Sequence, residues 1–155
     1  MADIRVTTTP VSRTPTPSGF QGQVGVRLNT FGMSKLEIGV NGEALAEITL
    51  DALQPSLQEA LGNWPVLTGA SRDSLSTDII EIGPRMARAV LQVGGEKLIN
   101  DSRNKSHRDY APYIEFNGTA TAPPGIIFSA VEGRRDEIRA EIHSKVSELI
   151  RSLLT

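Results

Sequence analysis

Cysteine is absent from this 155-residue chain, which excludes disulfide staples and thiolate metal sites. Only two histidines occur, His107 and His143, and neither has a second candidate ligand or a nucleophile close by in sequence. The sequence therefore predicts no metal site and no cofactor. Charge of one sign is also lacking: the net charge is −2, which gives no electrostatic reason for tight non-specific binding to nucleic acid. No stretch approaches the roughly 18 apolar residues that a spanning helix needs, so no membrane partner is expected. Residues 1–20 hold no continuous apolar run of about 7–15 residues, and no secretory signal is expected. Catalytic patterns are missing too. No serine sits in a G-x-S-x-G elbow. Gly94-Gly95-Glu96-Lys97 lacks both the spaced first glycine and the Ser/Thr of a phosphate loop. Glu132 and Asp136 read as solvated helix charges. No catalytic residue emerges, and the chain is expected not to be an enzyme.

What is present is the composition of a globular domain, 39% hydrophobic and 22% charged. Residues 1–30 are expected to form an extended arm, because Thr7–Pro10 and Thr14–Ser18 are Thr/Pro-rich and have little to bury. Residues 31–155 are expected to form one α+β domain. Val24, Val26 and Leu28 alternate with polar residues or glycine, as in a strand. A second apolar run, Leu36–Val40, ends at Asn41-Gly42, a dipeptide suited to a positive-φ turn. Leu45, Ile48, Ala52, Leu53, Leu57, Ala60 and Leu61 share one helical face, with Pro55 expected to kink or split the helix. Ser76–Ile82 and Met86–Val93 flank Gly83-Pro84 and predict a hairpin. Tyr110–Phe116 reads as an edge strand, with Pro112 near its start. Ile127 through Leu153 keeps a helical stripe for about seven turns, a long C-terminal helix. The expected fold is an antiparallel sheet of about four to five strands, packed with one kinked helix and the C-terminal helix.

Between hairpin and edge strand lies a polar stretch, 94–109, long enough to be functional. It carries Arg103, Lys105, His107 and Arg108, bracketed by Asp101 and Asp109. These four basic residues are candidates to face DNA or a partner. The loop holds no aromatic residue, so a stacking platform for single strands is not indicated. In the strand reading, Tyr110, Pro112, Ile114 and Phe116 share one face, and Tyr113 and Glu115 the other. Tyr110, Tyr113, Glu115 and Phe116 are then candidate subunit-interface residues, because semi-polar aromatic surface is enriched at interfaces. Thr68 and Arg72 join them from a turn in which Thr68 or Ser71 can cap a helical turn.

Two segments carry a resemblance. Trp64–Leu75, WPVLTGASRDSL, resembles the "P-V-x-T-G-x-L-x-x-S" stretch of a family of small tailed-bacteriophage tail-completion and head–tail joining proteins. Tyr110–Gly118, YAPYIEFNG, resembles the same family's "Y-A-x-Y-[VI]-E-x-G-T", and Pro124–Ala130 its "P-x-x-F-x-x-x-A". The match runs from about Leu36 to the end, with Leu67, Ser71 and an inserted Asn117 departing from the pattern. The resemblance implies a structural virion protein of the phage neck or tail top. It implies a homo-oligomeric ring, six-fold rather than twelve-fold, that completes the tail and joins it to the head. The implied partners are a head connector or stopper protein and a tail tube or terminator protein. Genomic DNA would pass through the lumen without sequence readout, and the host cytoplasm would hold the protein during assembly. The alternative is a small ligand- or nucleic-acid-binding module that uses loop 94–109.

Overall fold

The computed structural model describes residues 3–9, 20–30 and 39–154. Its elements, in chain order, are β1 (Asp3–Thr9), β2 (Phe20–Asn29), α1 (Gly42–Asn63), α2 (Ala70–Asp73), β3 (Ser76–Gly83), β4 (Met86–Val93), α3 (Glu96–Ile99), α4 (Ala111–Asn117), α5 (Ile126–Val131) and α6 (Arg135–Leu154). The fold is α+β: one antiparallel four-stranded sheet in the order β1-β2-β4-β3, with helices on one face.

Alternation builds the sheet. Val6 on β1, Val24, Val26 and Leu28 on β2, and Ala87, Ala89, Leu91 and Val93 on β4 all point to the helices and are buried. Antiparallel register aligns them, with Val24 opposite Ala89 and Val26 opposite both Val6 and Ala87. Small alanines on β4 let α1 approach, and Leu45 and Leu53 of that helix are fully buried. β3 pairs with β4 as the expected hairpin, with a register irregularity between Ile79 and Glu81. Segment 1–30, expected as an extended arm, contributes β1 and β2 to the sheet over its described parts, while the Thr14–Ser18 stretch lies outside the described residues.

Asn41-Gly42 is not a positive-φ turn. Asn41 is the N-cap of α1, its side-chain oxygen accepting from the Ala44 amide at 3.0 Å. Gly42 is required by proximity, since a Cβ there would run into the carbonyl of Gly83 at the hairpin turn. Leu36–Ile38 of the second apolar run lie outside the described residues, and Val40 is buried just ahead of the helix. α1 runs through Pro55 without being split. α6 buries Ile138, Ile142 and Val146, spaced four apart, and packs on α1 and β1. Arg134 ties its start to α1 through Glu59 at 3.4 Å.

The expected strand Tyr110–Phe116 is corrected: α4 occupies it. Pro112 sits in the first turn of this helix, where its missing N–H costs no intrahelical bond. Asp109 accepts from the Ala111 amide at 3.2 Å and so supplies a start signal. Ala111, Ile114 and Glu115 are buried on one helical face, a spacing that also samples alternate strand positions over so short a segment.

Candidate functional site

The segment Trp64–Leu75 is a knot of buried hydrogen bonds. The Trp64 indole N–H donates to Ser71 Oγ at 3.1 Å, Ser74 Oγ donates to the Ser71 carbonyl at 2.5 Å, and the Gly94 amide donates to Ser74 Oγ at 2.8 Å. The turn after α1 is thereby pinned to the end of β4. Thr68, exposed, accepts from the Ala70 amide through Oγ1 at 3.3 Å and opens α2. Arg72 is half-buried, its Nε donating to the Leu61 carbonyl at 3.0 Å and satisfying the last turn of α1. Of the two candidate interface residues here, Thr68 remains on the surface and Arg72 acts inward. Val66 and Leu67, between Trp64 and Thr68, are the exposed apolar positions of this turn.

Loop 94–109 is organised rather than loose. It contains α3, whose Leu98 is fully buried. Asn104, also buried, donates through Nδ2 to the carbonyls of Leu98 at 2.9 Å and Arg108 at 2.8 Å, and its Oδ1 accepts from Ser106 Oγ at 2.7 Å. Asp109 closes the loop, accepting from the Gly95 amide at 2.8 Å through Oδ2. Arg103 spans two carboxylates, Asp101 at 2.7 Å and Asp73 at 2.9 Å, and so braces the loop against α2. Its hydrogen bonds, led by the side-chain bond to Asp101, raise the Arg103 pKa. The same side-chain bond lowers the Asp101 pKa to about 2. All four basic residues are exposed, but Arg103 is held by its two carboxylates, whereas Lys105, His107 and Arg108 lie along the rim.

α4 carries the second motif. Glu115 is only 3% exposed, not on a partner-facing surface as the strand reading placed it. Its carboxylate accepts from the amides of Ile127 at 2.9 Å and Phe128 at 3.0 Å, bridging α4 to the start of α5. Its backbone carbonyl accepts from the Gly125 amide at 2.8 Å. Burial raises the Glu115 pKa, and the backbone amides pull in the other direction without cancelling it. Gly118 ends α4 with φ 70°, and a Cβ there would lie 2.8 Å from the Ala122 carbonyl oxygen. With Glu115 inward, Tyr113 and Phe116 share the outer side of α4, three residues apart, at 67% and 45% exposure. Phe128, whose amide is bonded to Glu115, is 50% exposed. Tyr110 is half-buried and packs on the core.

The fold thus separates the expected site residues. Tyr113, Phe116 and the unanticipated Phe128 are exposed aromatics on α4 and α5; Arg72 and Glu115 brace the fold from within and Arg103 from its exposed surface; Lys105, His107 and Arg108 lie on a polar rim. Asn104 and the carboxylate-to-helix role of Glu115 had no local sequence signal, because their partners are defined only by the tertiary fold. Among the described residues no group of three or more His, Asp or Glu could hold a metal ion. No helix among them is long and apolar enough to cross a membrane. No family model, no curated protein and no solved structure matches this chain.

Proposed function

We propose that the protein is a structural subunit of a tailed-phage neck, forming a homo-oligomeric ring that completes the tail and joins it to the head connector. The observation that carries this reading is the exposure of the aromatics Tyr113, Phe116 and Phe128, mounted on two short helices that the buried Glu115 carboxylate locks together. Large aromatics held in fixed positions lose little entropy on association, which suits a repeated subunit contact. Val66 and Leu67 offer further exposed apolar surface on the rigid turn after α1. One heterologous patch-to-patch contact, repeated by rotation, closes into a ring, and six-fold closure matches a tail tube. The motifs WPVLTGASRDSL and YAPYIEFNG support the same reading, because both lie in the parts of the fold that hold these surfaces in place.

In this role the subunit performs no chemistry. It presents one face to the head connector or stopper and another to the tail tube or terminator, and DNA passes through the lumen. Deleting the gene is expected to leave filled heads and free tails unjoined, seen by electron microscopy of lysates. Intact infectious particles from the deletion would refute the proposal.

A further inference from the structure

The face of the sheet turned away from the helices has an uneven distribution of charge. Arg5 on β1 and Arg27 on β2 are direct cross-strand partners, and Arg88 on β4 pairs with Gly25, two residues from Arg27 on the same face. Like charges placed directly opposite one another destabilise a sheet unless something neutralises them. Asp3 pairs with Arg5 at 3.1 Å, but among the described residues no ion pair or hydrogen bond engages the guanidinium of Arg27. Between these arginines Gly25 contributes no side chain, and a hollow of about 410 Å³ opens there, lined also by Thr7. Two neighbouring hollows share Arg27 as a wall, one of them lined also by Arg85 and the other by Arg5 and the Asp3 carboxylate.

Arg88 supplies an independent sign. Its Nε is buried and has no hydrogen-bond partner; the closest carboxylate oxygen, on Glu81, is 3.7 Å away, outside hydrogen-bonding range. Another of its nitrogens donates to Gln23 Oε1 at 3.4 Å, which holds the guanidinium over the sheet. The Arg88 side chain as a whole is 37% exposed, and among the described residues its charge is balanced only by the half-exposed Glu81, so its accessible edge is open to an anion in the hollow.

We propose that the hollow floored by Gly25 and walled by Arg5, Arg27 and Arg88 binds phosphate-class oxyanions, supplied as free phosphate or as nucleic-acid backbone. Guanidinium forks match tetrahedral oxyanions bidentately; Arg5 and Arg88 each have one carboxylate partner, Asp3 and Glu81, and Arg27 is the fork left over. The described positions of this face carry no aromatic side chain, so the site contacts phosphate without stacking on bases. This inference does not rest on the neck reading, because the site lies within one chain.

Isothermal titration calorimetry of the full chain at low ionic strength, with inorganic phosphate and with a short mixed-sequence duplex, tests it. Saturable binding of phosphate is expected, weakened about tenfold or more by Arg27→Gln and by Arg88→Gln, and unchanged by Arg108→Gln in the distant loop. Gly25→Ala keeps every charge but places a methyl 3.0 Å from Thr7 Oγ1 and 3.7 Å from Arg88 Nε. It should weaken binding as well, and it provides the test if Arg88→Gln fails to melt as a folded protein. A duplex that competes with phosphate and loses affinity in the same variants identifies the backbone as the source. Phosphate binding that the duplex does not displace identifies a free anion. Absence of binding with both probes, or binding that persists undiminished in the folded variants, would overturn the proposal.

Discussion

Replacing Glu115 tests the bridge between α4 and α5. Its carboxylate takes two backbone amides, at 2.9 and 3.0 Å, in a position only 3% exposed. Hydrogen bonds to a charged group contribute about 1.5–3 kcal/mol each, and a buried donor left without a partner costs about 1–3 kcal/mol. Removing the carboxylate also removes its desolvation cost, which offsets part of the loss. Glu115→Ala is therefore expected to cost about 3 kcal/mol at neutral pH. For a chain of this size that lowers Tm by roughly 6–12 °C. Glu115→Gln keeps one acceptor oxygen and should cost about half as much. The pH dependence has a definite sign. Burial raises the folded-state pKa of Glu115 above its ordinary value of 4.5, so the native chain takes up this proton before the unfolded chain does. As pH falls from neutral toward 4.5, the wild type should gain stability relative to Glu115→Gln, and that gain is lost as pH rises through the folded pKa. Urea melts of both proteins across this range read the difference directly. Glu115→Gln more stable than wild type at neutral pH, or a difference that shrinks on acidification, would refute this assignment.

Other features have equally concrete consequences. Ser71→Ala leaves the Trp64 indole N–H without its acceptor and should cost about 1–3 kcal/mol, read by denaturant melts, with a shift in Trp64 fluorescence. Gly118→Ala forces a side chain into positive φ and against the Ala122 carbonyl, so a loss above about 1 kcal/mol is expected in thermal melts. Arg103→Ala should return the Asp101 pKa from about 2 toward 3.8, measurable by NMR titration; the stabilisation from this pair is present above 3.8 and lost as pH falls toward 2. Tyr113→Ser combined with Phe128→Ser should leave monomer stability within about 0.5 kcal/mol while weakening self-association in sedimentation experiments.

Much of the fold was legible because periodicity reports burial. The stripe on α1 and the hairpin across Gly83-Pro84 each predict the element that forms. The spacing of Ile138, Ile142 and Val146 predicts α6, although the stripe expected to be continuous from Ile127 is broken after Val131 into α5 and α6. Tyr110–Phe116 misled because seven residues cannot separate a period of 2 from one of 3.6, and Pro112 suits a strand start as well as a first helical turn. Asp109, just ahead of the N-cap Tyr110 and accepting from the Ala111 amide, was the available signal for a helix. β1 was obscured by the Thr/Pro composition around it, although Ile4 and Val6 alternate with Arg5 and Thr7. The candidate site was less legible still. Arg5, Arg27 and Arg88 are distant in sequence, and only the register across β1, β2 and β4 brings them to one face. Glu115 looked like a surface charge because its partners, the amides of α5, are ordinary backbone groups with no sequence signature.

The central claim is ring assembly, and electron-microscopy class averages of the purified full-length protein at high concentration test it most directly. Closed rings of uniform subunit number, six-fold, are expected, and they should disappear in the Tyr113→Ser, Phe128→Ser variant. A wild-type protein that stays monomeric at every concentration, or that forms open filaments instead of rings, would contradict the claim.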